Sequence, residues 1–172
     1  MELLIPGLIL VALMVWASTR IKKNAAAAFD AETVENDLFL IRKPEGFLHV
    51  LNDDSGLAFR SYSKEFGKVG DKDVRRATIE IERNVGTSIA EMKERIEAQA
   101  ESVASFETYL DGGEKAAWLI TGEIVDGCGF ETARKLVTRG GDVWEARGTV
   151  LSEHRDEMGE RIEAALDSVR VK

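Results

Sequence analysis

Seventeen consecutive residues, Leu3 to Thr19, carry no charged side chain, and Arg20, Lys22 and Lys23 follow almost at once. No other stretch restricts the chain so tightly. As a helix, the run spans roughly 25 Å at about 1.5 Å per residue. A bilayer core is about 30 Å thick, and basic side chains that snorkel to the headgroups can close such a gap. Pro6 falls in the first turn, where a missing N–H costs little, and Trp16 lies near the far end, where an indole favours an interface. The expectation is a single-pass transmembrane helix. Its anchor residues are Leu3, Leu4, Ile5, Leu8, Ile9, Leu10, Val11, Leu13, Met14, Val15 and Trp16, with Arg20, Lys22 and Lys23 as a basic stop.

The order of charges separates this segment from a cleaved signal peptide, which needs positive charge before its apolar region. Here only Glu2 precedes the run and the basic cluster comes after it. A small-residue stretch, Ala25 to Ala28, lies beyond that cluster, a poor place for cleavage. The segment therefore reads as a retained signal-anchor. Basic flanks stay on the cytoplasmic side. The expectation is a bacterial inner-membrane protein with its bulk in the cytoplasm; a periplasmic domain is the open alternative.

The whole chain of 172 residues has a net charge of −8, and the first 23 residues hold three basic side chains against Glu2, so the remainder carries −10. A domain that acidic repels phosphate backbones, which argues against nucleic acid as a partner. It also stands off anionic headgroups. The only cysteine, Cys128, excludes an intrachain disulfide and a Cys-rich zinc site. No motif calls for a cofactor or a metal.

Residues 1–23 are thus expected as the anchor, 24–36 as a helical stalk with no breaker, and 37–172 as one folded domain. "DLFLIRKPEG" reads as a strand that ends at Pro44, and Asn52 to Gly56 as a dense turn. Alternation over Leu57 to Tyr62 marks a strand, "GKVGDKD" a polar loop. In "VRRATIEIER", Ala77, Ile79 and Ile81 share one face and Thr78, Glu80 and Glu82 the other. Ser88 to Phe106 reads as a helix: Ser88 and Glu91 form a capping box, and Ile89, Met92, Ile96, Val103 and Phe106 recur at helical spacing. Three strands follow at Ala116–Val125, Phe130–Thr138 and Val143–Leu151, the last two joined by an "RGGD" hairpin turn. Glu153 to Ser168 is a second amphipathic helix, and Val169 to Val171 a short edge strand. The class is α+β, a mainly antiparallel sheet flanked by two amphipathic helices.

This order of elements, with "IRKPEGF" (Ile41 to Phe47) and "VWEARGTVLSEHRDEMGERIEAALDSVRV" (Val143 to Val171), resembles the PsbP-like family over Asp37 to Val171. The resemblance implies an α/β/α sandwich and an accessory or binding role rather than catalysis. The chain departs from the plant photosystem II subunit in keeping its N-terminal segment. It offers no motif onto which a family metal site can be carried.

Each candidate site has a plain reading beside the chemical one. "DGCGFE" (Asp126 to Glu131) could hold a reactive thiol, but Arg134 is the nearest cation and a tight turn between strands explains the glycines. His49 and His154 could pair, and His154 with Glu157 makes a two-ligand fragment at a helix start. "NDDSG" lacks the alternating ligands of a calcium loop. Trp118 and Trp144, in adjacent strand patterns, are core residues or a possible interaction surface. An enzyme would have to gather His49, Cys128 and Arg134 from distant segments. The expected function is non-enzymatic: a membrane-tethered accessory, assembly or interaction subunit with a protein partner at the membrane. The alternative is a small-molecule or lipid-binding module with a pocket between sheet and helix.

Overall fold

Two-residue turns with positive φ set the order of the main sheet. Asp126 (φ 51°) and Gly127 (φ 79°) form one such turn, and Gly140 (φ 62°) and Gly141 (φ 88°) another. Left-handed backbone at both central positions matches the twist of the flanking strands, so the chain doubles back at once. The computed structural model describes residues 4–51 and 53–172. Its elements in chain order are α1 (Leu4–Ala27), β1 (Glu32–Glu35), β2 (Phe39–Lys43), β3 (Phe47–His49), β4 (Phe59–Ser63), β5 (Phe66–Val69), β6 (Lys72–Arg75) and β7 (Ala77–Asn84). There follow α2 (Ile89–Gln99), β8 (Ser102–Asp111), β9 (Glu114–Val125), β10 (Cys128–Arg139), β11 (Asp142–Leu151), a 3₁₀ turn at Ser152–His154, α3 (Arg155–Asp167) and β12 (Arg170–Val171).

Seven strands form an antiparallel sheet in the order β3-β4-β7-β11-β10-β9-β8, and the small sheet β1-β2-β12 and the hairpin β5-β6 lie beside it. One face of the large sheet offers Ala77, Ile79, Ile81, Ala133, Trp144, Ala146 and Val150 to Met158, Ile162, Ala165 and Leu166 of α3. The other offers Ala117, Leu119, Leu136 and Val143 to Met92 and Ile96 of α2. The result is helix, sheet, helix with one core on each side of the sheet. Gly148 on β11 lets α3 approach closely: a Cβ there would lie 2.1 Å from Ile162 Cγ2.

The expected α+β class and the two flanking helices hold, and the transmembrane helix does not. Among the described residues no helix is long and apolar enough to cross a membrane. The uncharged run is a few residues short of the ~20 that a spanning helix needs. Helix α1 reaches its 24 residues only by carrying Arg20, Lys22 and Lys23 into its own length. Arg20 folds back over the Trp16 ring, 5.3 Å from its centroid. Ile9, Val11, Leu13, Met14, Val15 and Trp16 are exposed side chains of this helix. Leu3 of the expected anchor lies outside the described residues.

Three further elements differ from expectation. The stalk is not helical to Glu35: α1 stops at Ala27, and Glu32–Glu35 pairs with β2 in register Glu32↔Lys43 to Glu35↔Leu40. β-branched Thr33 and Val34 suit a strand, and Val34 packs against the core. The capped helix stops at Gln99, and its expected last turns are β8. The "GKVGDKD" loop is largely the hairpin β5-β6, turning at Gly70. The three later strands, the "RGGD" turn and the last helix fall where the alternation placed them.

Candidate functional site

Strand β8 alternates its side chains, as any strand must. Glu107, Tyr109 and Asp111 lie on the α3 side of the sheet, and Phe106 on the α2 side. Trp118 of β9 sits between Glu107 on one neighbour strand and Lys135 of β10 on the other. Helix α3 covers the centre of this face but ends at Asp167, before it reaches β8. The uncovered margin is a cleft of about 520 Å³ between β8, β9 and the end of α3, lined among others by Tyr109, Trp118, Glu163 and Arg170.

The cations of the cleft are committed. Lys135, nearly buried, donates to the carbonyl oxygens of Asp167 (3.3 Å) and Val169 (3.1 Å) and pairs with Asp111 Oδ2 at 2.6 Å. A lysine there neutralises the C-terminal end of the α3 dipole. Arg170 donates to the Asp167 and Val169 carbonyls and stands 3.6 Å from Asp111 Oδ2. The hydrogen bond from Lys135 holds the Asp111 carboxyl below its ordinary range. Burial, then the charges of Asp111 and Asp167, push the Tyr109 hydroxyl up. Glu107 and Asp167 make no side-chain ion pair among the described residues. The cleft therefore presents two uncompensated carboxylates beside two aromatic rings.

Trp118 and Trp144 part company here. Trp118 is half-buried and lines the cleft. Trp144 is core, tilted against Phe39 at 6.4 Å with the Arg83 guanidinium over its ring. The structure does not gather His49, Cys128 and Arg134. His49 lies against Phe59 on the α3 side, ring centroids 4.8 Å apart. Cys128 begins β10 and donates weakly to the Lys68 carbonyl. Arg134 is six residues further along that strand, about 20 Å away, and is bound to Glu145 at 3.0 Å and to Thr121. His154 does meet Glu157, at 3.9 Å, and Glu153, at 3.2 Å. Among the described residues no group of three or more His, Cys, Asp or Glu side chains could hold a metal ion. Asp53 closes a local turn by accepting from the Ser55 N–H, while Asn52 lies outside the described residues.

Alternation alone did not reveal a polar network on the α2 side of the sheet. Arg147 donates to Glu80 at 2.8 Å, Arg60 approaches the same carboxylate at 3.4 Å, and Arg134 binds Glu145. Thr132 and Thr149 bridge β10 and β11 through their hydroxyls at 3.0 Å. Opposite charges that face one another across strands lock the register. The sequence signal was the strand "TIEIER" beside "WEARGT", legible only once β7 and β11 are known to be neighbours.

An antiparallel sheet with one helix on each face defines the class as an α/β/α sandwich, and its fold resembles the PsbP-like one. The likeness extends to individual solved structures. The chain is similar to the cyanobacterial PsbP (CyanoP) of Synechocystis, with a TM-score of 0.60 and 10% identity over 84% of this chain and 94% of that one. It is similar to LpqN, involved in cell envelope biogenesis of Mycobacterium tuberculosis, with a TM-score of 0.56 and 10% identity over 83% and 91% of the two chains. A Mog1 variant aligns with a TM-score of 0.51 and 9% identity over 83% and 96%. No protein-family model and no curated protein matches the chain. At these identities the likeness is one of fold.

Proposed function

We propose that the protein is a non-enzymatic accessory or assembly module that docks a protein partner in the cleft beside β8. One observation carries this reading: α3 stops short of the sheet margin and leaves Tyr109 and Trp118 at an open cleft with the unpaired carboxylates of Glu107 and Asp167. Aromatic side chains in a partly desolvated recess make strong anchor points for a partner. The PsbP-like sandwich supports an interaction role without naming the partner.

The alternative places a small molecule or lipid between sheet and helix. Under the centre of α3 the space among Ala133, Gly148, Val150 and Ile162 is about 10 Å³, room for one water at most. Such a ligand would have to lie in the same cleft beside Trp118, where the carboxylates of Glu107, Asp111 and Asp167 disfavour a lipid chain.

A photo-crosslinking residue placed at Tyr109 in living cells tests the docking reading. A discrete adduct is expected from that position and none from a control at Glu94. Equal labelling from both positions, or none from Tyr109, would overturn it.

A further inference from the structure

The large sheet ends at β8, whose outer edge pairs with nothing among the described residues. Exposed edges are templates for another strand, and proteins guard them with brevity, lysine, proline or bulges. The opposite edge, β3, is only three residues long. By contrast β8 has ten residues and contains no Lys, Arg or Pro; its charged side chains are the acids Glu107 and Asp111, which repel an acidic strand and admit a basic one. Its bulge lies near the start, between Val103 and Ser105, and from Ser105 to Asp111 its register with β9 is unbroken. The outward N–H and C=O groups of that stretch form an unused ladder. Leu110, 71% exposed, lies within it.

A strand added to this edge would continue both faces of the sheet. On one face its side chains would meet Glu107, Tyr109 and the cleft, where Asp167 is also unpaired. On the other they would lie beside Phe106 and Leu110. We propose that β8 receives an extended protein segment that alternates basic and apolar residues, as an eighth strand of the sheet. This rests on the cleft being a docking site and specifies how the partner engages it. Backbone pairing supplies the attachment, and the unpaired carboxylates select basic side chains. A second copy of this chain fits less well. It would bring one acidic β8 against another, on molecules that each carry −8.

The test uses the full-length protein and a capped heptapeptide of alternating lysine and valine. Two further peptides carry N-methyl groups on one or the other alternate set of residues. Titration gives affinity, and amide exchange over 105–111 gives the location. The parent peptide is expected to slow exchange there. One methylated set is expected to bind at least tenfold more weakly and the other to bind like the parent. Glu107→Lys is expected to weaken the parent peptide at least tenfold. If both methylated peptides bind like the parent, attraction to the cleft is charge alone, and strand addition falls while docking stands. If no peptide binds but the Tyr109 crosslink forms, strand addition again falls alone. If both are absent, both readings fall. Protection of the edge in a dimer without peptide would make the second copy the occupant and overturn the proposal.

Discussion

Lys135 and Asp111 show how much of this molecule depends on single ionic contacts that no local pattern announces. Neither residue stands out in "TARKLVT" or "TYLDGGE", and they meet only because β10 and β8 flank β9. Their bond has a consequence for acid stability. The folded Asp111 carboxyl titrates below its ordinary range, chiefly because Lys135 hydrogen-bonds to it. On acidification the unfolded chain takes up this proton first. The stabilisation is therefore whole above about pH 4 and is lost as the pH falls through the lower folded-state value. Asp111→Asn should cost about 2 kcal/mol at neutral pH, as for a hydrogen bond between charged groups. Urea midpoints of the two proteins should converge as the pH drops from about 6 towards 3; a constant gap would contradict the assignment. Trp118 and Trp144 carry the same lesson. Both sit in strands and both read as core or surface from the sequence. Only the point where α3 ends separates them.

At the scale of elements, turns and caps were the most legible. The "RGGD" hairpin and the Ser88–Glu91 box are local chemistry, and both form as written: Glu91 accepts from the Ser88 N–H at 2.8 Å. The end of α2 was not legible. Val103 and Phe106 continue the helical spacing of Met92 and Ile96, so period alone extends the helix. The alternation in "SVASFETY" wins because β9 offers a partner ladder that a helix would leave unpaired. The α3 contact is also a tertiary fact. Gly148 sits where Ile162 presses on β11, with no space for a methyl group. Gly148→Ala should destabilise by about 1–3 kcal/mol through overpacking, read as a lower urea midpoint with an unchanged slope. A neutral result would mean that α3 can lift from the sheet without cost.

For the whole molecule, the α+β class could be read from the chain, because amphipathic periods and turn residues agreed with one another, while the sandwich was what the PsbP-like resemblance implied. The anchor could not be judged that way. Its apolar character is a sum over residues, and the helix that forms takes in Arg20, Lys22 and Lys23 as well. The lower boundary of the folded part also moved, from Asp37 to about Glu32. A chain starting at Ala28 should keep the urea midpoint of the full protein. One starting at Asp37 loses β1 and two of the three carbonyls that hold the buried Lys43 ammonium, and should be less stable by about 2–4 kcal/mol, as when a buried charge loses its partners. Equal midpoints for the two would return the boundary to Asp37.

Lys43 gives that boundary a mechanical meaning. Its side chain has no solvent exposure, and its ammonium donates to the carbonyls of Ala28 (3.3 Å), Asp30 (2.6 Å) and Phe47 (2.7 Å). Two of these acceptors lie in the short link between α1 and β1, beside the Glu32↔Lys43 pair that begins the ladder. The Gly46 N–H donates to the Phe29 carbonyl at 2.7 Å between them, so side chain and backbone together fasten the link to the fold before β1 begins and leave it little slack.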